Sequence, residues 1–489
     1  MVEPIYIVAS GLGIAFLLGL IKKAGRDLPG TLMLLTLTLM TFISFQWLWS
    51  TSFADYAPHY TYTAGFRPPF SINLKMGEME AFFTAIVNLI GLLGGLYLWE
   101  RLKKQGVNSM IVYLLLFVGL NVMIMTRDLF NLFVFLEVSS IAIAGLVLLQ
   151  RDNKALSAGF KYLIAASIIS GLLLVGLIFI YQYAGSLYIN DIIDANLTAV
   201  KGGMVAVFLI LIAVALELKP FPANGWALDL YEGAHPGLAA LVSAAFASAM
   251  VFVLHKLLPV AGGAWQNMFA TLGGLTFIGS NLLGIKQSNA RRLLGYSSVG
   301  QIGLLVMVVG LSQYLGEKLT LIAYGILISH YLAKAGLFWL TGIINQDNIR
   351  NWSVLRKKPF MLSIFGTFVF ALIGFPPFPS FFAKWELIMQ LSAGSGFIWV
   401  VIILLGSFLE GVYLFRWLGY ALKLEHQVLP AYKIPWNKIL PVAIAGIGLF
   451  ILGYFATPIA TGAGNLNFLP LAAVVVIFFL DFLPARIKN

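Results

Sequence analysis

The chain has 489 residues, of which 60% are hydrophobic and only 10% charged, against roughly 25% charged in an average soluble domain. It contains no cysteine and five scattered histidines, which excludes disulfides, thiolate zinc sites and iron–sulfur clusters and leaves no metal or haem spacing. The formal net charge of +11 is carried by short segments between apolar runs, so it reads as a topology signal and not as a nucleic-acid surface. No cofactor or metal is expected in this chain, and any redox chemistry would belong to another chain.

Runs of about 17 to 25 apolar residues mark membrane spans. In chain order they fall near 4–21, 31–50, 81–99, 109–126, 129–150, 161–183, 203–219, 236–258, 268–285, 293–312, 319–344, 359–392, 397–421, 437–456 and 467–484. The fold class is therefore an all-α integral membrane protein with fourteen or fifteen transmembrane helices. The first run is preceded by an acid and followed by Lys22, Lys23 and Arg26, the reverse of a signal peptide, and is expected to stay as a membrane helix. With the amino terminus outside, the inner segments are 22–30, 100–108, 151–158, 220–235, 286–292, 345–358, 422–436 and the tail. They and their flanks hold 20 of the 31 Lys and Arg, against six outside, namely Arg67, Lys75, Arg127, Lys201, Lys256 and Lys318. That bias follows the positive-inside rule. The longest outside segment, 51–80, is rich in aromatics and predicts an ordered cap at the interface.

Two stretches break the helical pattern. Glu217-Leu-Lys219-Pro-Phe-Pro222 ends one apolar run, and Gly374-Phe-Pro-Pro-Phe-Pro-Ser-Phe-Phe-Ala-Lys384 interrupts a later one. Proline removes a backbone donor and clashes with the preceding turn, so paired breaks in two halves of a membrane protein point to an ion or substrate path.

Ionisable residues at membrane depth cost about 2.5–3.5 kcal/mol each on insertion scales and are functional candidates by default. Glu137 sits in Leu129-Phe-Asn-Leu-Phe-Val-Phe-Leu-Glu137 with apolar neighbours. Lys161 lies near the start of its span, where a snorkelling lysine is equally compatible with the pattern. Glu217 and Lys219 are two apart and face different sides of a regular helix. His330 and Lys334 are i and i+4, on one face, and Lys384 follows the second break; Glu410 and Arg416 occupy the next span. Such a row of acids, lysines and a histidine reads as a lateral proton relay.

At these residues the chain resembles the antiporter-like subunits of respiratory complex I, the Mrp-type sodium/proton antiporters and related energy-converting complexes, over roughly residues 60–425. The motifs are Thr126-Arg-Asp-Leu-Phe-Asn-Leu-Phe-Val-Phe-Leu-Glu137, similar to the D-type chain of Mrp antiporters, Phe160-Lys161-Tyr162, Arg291 to Gly303, His330-Tyr-Leu-Ala-Lys334 and Gly374 to Lys384. Tyr231-Glu-Gly-Ala is more like the N-type subunit of complex I. The resemblance implies two inverted five-helix repeats, each with one broken helix. It divides the chain into 1–108, N-terminal helices, 109–258 and 268–421, the two repeats, and 422–489, C-terminal helices. It also implies that Glu137 pairs with a lysine of the first broken helix and that His330, Lys334 and Lys384 carry the second half. Against the family pattern, Glu217 and Ser248 stand where lysines are usual and Asn224 where a histidine is usual.

The resulting expectation is an ion-translocating subunit of a multisubunit complex in the plasma membrane, moving protons or sodium ions through Glu137, Lys161, Glu217, Lys219, His330, Lys334 and Lys384. Its partners would be other membrane subunits and the lipid bilayer, with no nucleic acid. The alternatives are the D-type chain of an Mrp antiporter without a redox partner, a structural subunit whose first half-channel is silent, and a stand-alone secondary transporter.

Overall fold

The computed structural model describes residues 2–22, 25, 27–53, 56–394, 396–424 and 434–461. The span expected at 467–484 lies outside them, as does most of the inner segment 422–436. Helices occupy the other expected spans: α1 (Ile5–Leu20), α2 (Asp27–Phe53), α3 (Glu78–Tyr97), α4 (Val107–Met125), α5 (Leu129–Leu148), α6 (Asn153–Ala184) and α7 (Lys201–Glu217). After a short α8 (Gly225–Gly233) come α9 (Pro236–Ala261), α10 (Gly263–Gly284), α11 (Ala290–Gly310) and α12 (Lys318–Ile344). The remainder are α13 (Pro359–Ile373), α14 (Pro379–Ser392), α15 (Phe397–Leu422) and α16 (Trp436–Thr461). Among the described residues, ten helices are long and apolar enough to cross a bilayer. The protein is an all-α integral membrane protein.

Local chemistry sets the helix starts. Asp128, Asp152 and Asn289 each accept a hydrogen bond from a backbone N–H in the first turn of α5, α6 and α11, at 2.7, 2.8 and 3.1 Å. Each thereby satisfies one of the donors a helix leaves free at its amino end. The expected cap within 51–80 is a two-stranded antiparallel hairpin, His59–Tyr62 against Asn73–Met76, with His59 opposite Met76.

Helices α9 and α11 form the centre, wholly buried over their apolar windows. Close approach of α10 to α11 rests on small residues. A Cβ at Gly303 would stand 2.8 Å from the Gly273 carbonyl and from the Phe277 amide, so only glycine lets the two backbones meet there, as in other membrane helix pairs. At the other extreme, α6 has 32 residues where about 20 suffice to span.

Two sequence expectations are corrected. The segment 220–235 is not a simple inner loop, because it contains α8, packed against α6 and α11 with Ala227, Leu228, Leu230 and Tyr231 buried. Lys256 is not an outside-loop residue. It is 5% exposed at the end of α9, and its ammonium donates to the carbonyls of Met123, Ile124 and Thr126 at 2.6, 3.1 and 2.9 Å. A cation satisfies the orphan carbonyls at the end of α4 and matches the negative end of its dipole. Lys256→Met keeps the stem and strands three acceptors, so a stability loss of about 1–3 kcal/mol is expected. It would be read as a lower melting temperature of the protein in detergent, with Lys256→Arg recovering most of it; unchanged melting would exclude a capping role.

Candidate functional site

The first break is built by sequence at the end of α7. Pro220 and Pro222 cannot continue the helix, and Lys219 turns the chain with a φ of 61°. For a residue with a side chain this left-handed conformation costs about 1 kcal/mol or more and clusters at functional sites. The break is pinned to α10, since the Phe221 amide donates to Thr276 at 3.1 Å and the Asn224 amide to Ser280 at 3.3 Å. The peptide Phe221–Pro222 is cis.

The turn carries its two charges inward. Glu217 and Lys219 are each 1% exposed, and the Lys219 ammonium and one Glu217 carboxylate oxygen have no hydrogen-bond partner in the protein. The ammonium instead lies 5.4 Å from the ring centre of Phe246 and 5.8 Å from that of Trp226, where each aromatic face contributes about 0.5–2 kcal/mol. Glu137, half-buried on α5, is within electrostatic reach of Glu217 and of Tyr162. Among the described residues no ion pair joins Glu137 to Lys219, because the lysine is turned toward the rings of α8 and α9.

The second break lies between α13 and α14. Helix α13 stops at Gly374, whose φ of 92° suits glycine. Lys384, one turn and a half into α14, reaches back across the break and donates to the carbonyls of Ile373 and Leu372 at 3.1 and 3.4 Å. The Leu372 carbonyl also accepts from the Gln301 amide at 3.4 Å, and the same amide donates to a Glu410 carboxylate oxygen. The other Glu410 oxygen accepts from the Ser297 hydroxyl at 2.6 Å. The Ser297 oxygen in turn meets the Lys334 ammonium. Lys334, Ser297, Glu410, Gln301, the Leu372 carbonyl and Lys384 thus form one continuous buried chain with Glu410, 0% exposed, between two lysines. His330, one turn from Lys334 on α12, is buried with neither ring nitrogen partnered.

Lys161 stands apart from these groups. Its side chain is 53% exposed and pairs with Asp229 of α8 at 2.6 Å. Asp229 also receives Arg292 at 3.1 Å, and Arg292 holds Glu232 at 2.8 Å. Lys161 lies eight residues after the start of α6, on a face the fold leaves exposed. Arg416 is also structural, donating to the carbonyls of Ile285 and Gln287 just beyond α10. His235 caps α9, accepting from the Gly237 amide at 3.1 Å; burial, with Arg101, Lys438 and Arg291 nearby, pushes its pKa down to about 3, which keeps it neutral. Glu410, Ser297 and Gln301 are members of the chain that sequence reasoning left unassigned. The signal for Glu410 was its position as an acid inside an apolar span.

A many-helix membrane protein with two proline-broken helices and a buried row of titratable side chains belongs among proteins that handle ions within the bilayer. Residues 126–410, more than half of the chain, match the family described as NADH:quinone oxidoreductase/Mrp antiporter, transmembrane, and the chain belongs to that family. The NADH-quinone oxidoreductase subunit N of Desulforudis audaxviator is 29% identical over 428 residues, covering 81% of this chain and 84% of the relative. Among solved structures, a chain of the membrane-bound sulfane sulfur reductase, an archaeal respiratory membrane complex, superposes with a TM-score of 0.82 at 25% identity, covering 94% of this chain and 96% of that one. A chain of the Mrp complex from Dietzia sp. DQ12-45-1b gives the same TM-score and coverage at 19% identity and shares the fold.

Proposed function

We propose that this chain is an ion-translocating membrane subunit of a multisubunit respiratory or energy-converting complex in the cell membrane, moving protons or sodium ions along a buried relay. The observation that carries the reading is the unbroken chain from Lys334 through Ser297, Glu410 and Gln301 to Lys384. Its two cations share one buried carboxylate, so the position of that negative charge sets which lysine is held protonated. The helix break supports the same reading, because it leaves carbonyls at membrane depth where a mobile cation can be received. Residues 109–258 and 268–421 are the two repeats in this proposal, each with one broken helix. Glu137, Glu217 and Lys219 serve the first, and His330, Lys334 and Lys384 the second. Lys161 contributes at the mouth, through its pairing with Asp229. Energy arrives from a neighbouring chain as a change in charge pairing.

His330→Ala and Lys384→Ala in the assembled complex, reconstituted in vesicles, are each expected to lower proton or sodium flux several-fold. Undiminished flux in both would end the relay proposal. A second reading, a silent first half, is favoured by two observations: the Lys219 ammonium faces aromatic rings, and Ser248 is an uncharged residue whose hydroxyl donates back to Ala245 of its own helix, at 3.1 Å.

A further inference from the structure

Between the two halves of the buried row lies a gap that no charged side chain fills among the described residues. On one side are Glu217 and Lys219, on the other His330 and Lys334. The helix that separates them, α9, is not regular there: Val242–Phe246 form a π-helical turn. Such turns are rare, disturb the i to i−4 ladder and recur at functional sites. This one touches both halves. Its Phe246 ring lies under the Lys219 ammonium at 5.4 Å. Its Ser243 hydroxyl is 2.7 Å from that of Ser298 on α11, and the His330 ring lies against the Ser243 main chain, where α12 packs on the turn.

Tyr231 completes the crossing. It is fully buried on α8, its ring stacked on Phe338 with centroids 5.6 Å apart. Its hydroxyl faces Ser243 and Ser298 and lies within electrostatic reach of Glu217. No standard hydrogen bond satisfies that hydroxyl, although a buried tyrosine OH ordinarily finds one. An oxygen held in the interior beside a hydroxyl pair and a carboxylate is unexplained by packing, since phenylalanine would fill the same space.

We propose that the Tyr231 hydroxyl and the Ser243–Ser298 pair form the neutral bridge that carries a proton between Glu217 of the first half and His330 of the second. The inference rests on the buried row being an ion path. In the forward step the protonated Glu217 carboxyl gives its proton to the Tyr231 oxygen as the tyrosine releases its own toward the serine pair. Each serine hydroxyl likewise takes one proton and gives one, and the last passes to a His330 ring nitrogen. Glu217 ends as a carboxylate, His330 as an imidazolium, and the three hydroxyls are restored.

The test is Tyr231→Phe in the assembled complex, beside Ser298→Ala and Ser298→Thr. Tyr231→Phe removes one oxygen and keeps the ring, so assembly is expected at the native level. Ion flux per assembled complex is expected to fall about tenfold or more, the low end of what positioned proton transfer contributes. Ser298→Ala is expected to lower flux similarly, Ser298→Thr to restore it, and the Tyr231→Phe/Ser298→Ala double variant to be no worse than either single, as for members of one link. Restoration by threonine is a result that a packing role would not give. Should Tyr231→Phe not assemble, the Ser298 pair alone decides. Native flux in Tyr231→Phe and Ser298→Ala, with Lys384→Ala inactive, overturns the bridge and leaves the ion path standing. Native flux in Lys384→Ala as well overturns the ion path itself.

Discussion

Glu410→Ala is expected to lower ion flux at least tenfold in the assembled complex and to weaken the protein at the same time. Tenfold corresponds to about 1.4 kcal/mol, small beside what the carboxylate does. It is buried between the Lys334 and Lys384 ends of one hydrogen-bonded chain, and removing it leaves two lysines in the interior with no counter-charge. Breaking a buried charge pair from one side costs about 3–5 kcal/mol, because the partner remains buried and unpaired. The lysines can escape that penalty by shedding protons, and a relay whose lysines are both neutral carries nothing. Glu410→Gln separates the two effects. It keeps the shape of the side chain and one of its two acceptors but not the counter-charge, so only part of the stability should return while flux stays low. Flux at the native level in Glu410→Gln would show that its charge is not used.

The second large effect concerns the first half. Lys219→Met places a flexible apolar chain against Phe246 and Trp226, where the ammonium has no hydrogen-bond partner. Removing the ammonium saves its burial cost and also takes the nearby opposite charge from buried Glu217, so thermal stability is expected to change little. Flux is nonetheless expected to fall about tenfold, an order of magnitude within the usual reach of a positioned proton carrier, and Glu137→Gln should fall with it. If both variants pump normally while Lys384→Ala is inactive, conduction belongs to the second half alone and the first is a structural filler. Loss of stability in Lys219→Met would instead mean that the aromatic contacts hold the cation in place for folding.

Much of the fold was legible because a bilayer imposes length and polarity together. The run ending at Glu217 had to stop at Pro220, and the apolar runs gave the helices their places along the chain. The site was legible as a set of types and not as a set of pairs. Glu410 could be seen as an acid in an apolar span, but its partners Ser297 and Gln301 lie on another helix, over a hundred residues earlier, and spacing along a chain says nothing about such contacts. Lys161 lay near the start of its span, where the sequence left a snorkelling lysine open, and the fold pairs it with Asp229 at an exposed position. Lys219 is turned toward aromatic rings by its own left-handed backbone, which spacing along the chain does not announce. Lys256 was misread for the same reason, since three carbonyls on a different helix decided that it is buried.

The π turn at Val242–Phe246 has a consequence for inheritance. Such a turn accommodates an extra residue that a regular helix would not hold, and each residue rotates everything after it by about 100°. Ser243, Phe246, Ser248 and the Lys256 cap all sit on or beyond it, so a one-residue deletion here would tighten the helix and re-aim every one of them together. Point changes at its small apolar positions, Ala244 and Ala245, can be tolerated one by one, whereas Ser243 is held by its hydroxyl pair. Its length cannot drift, and no insertion or deletion is expected there in any descendant that still works.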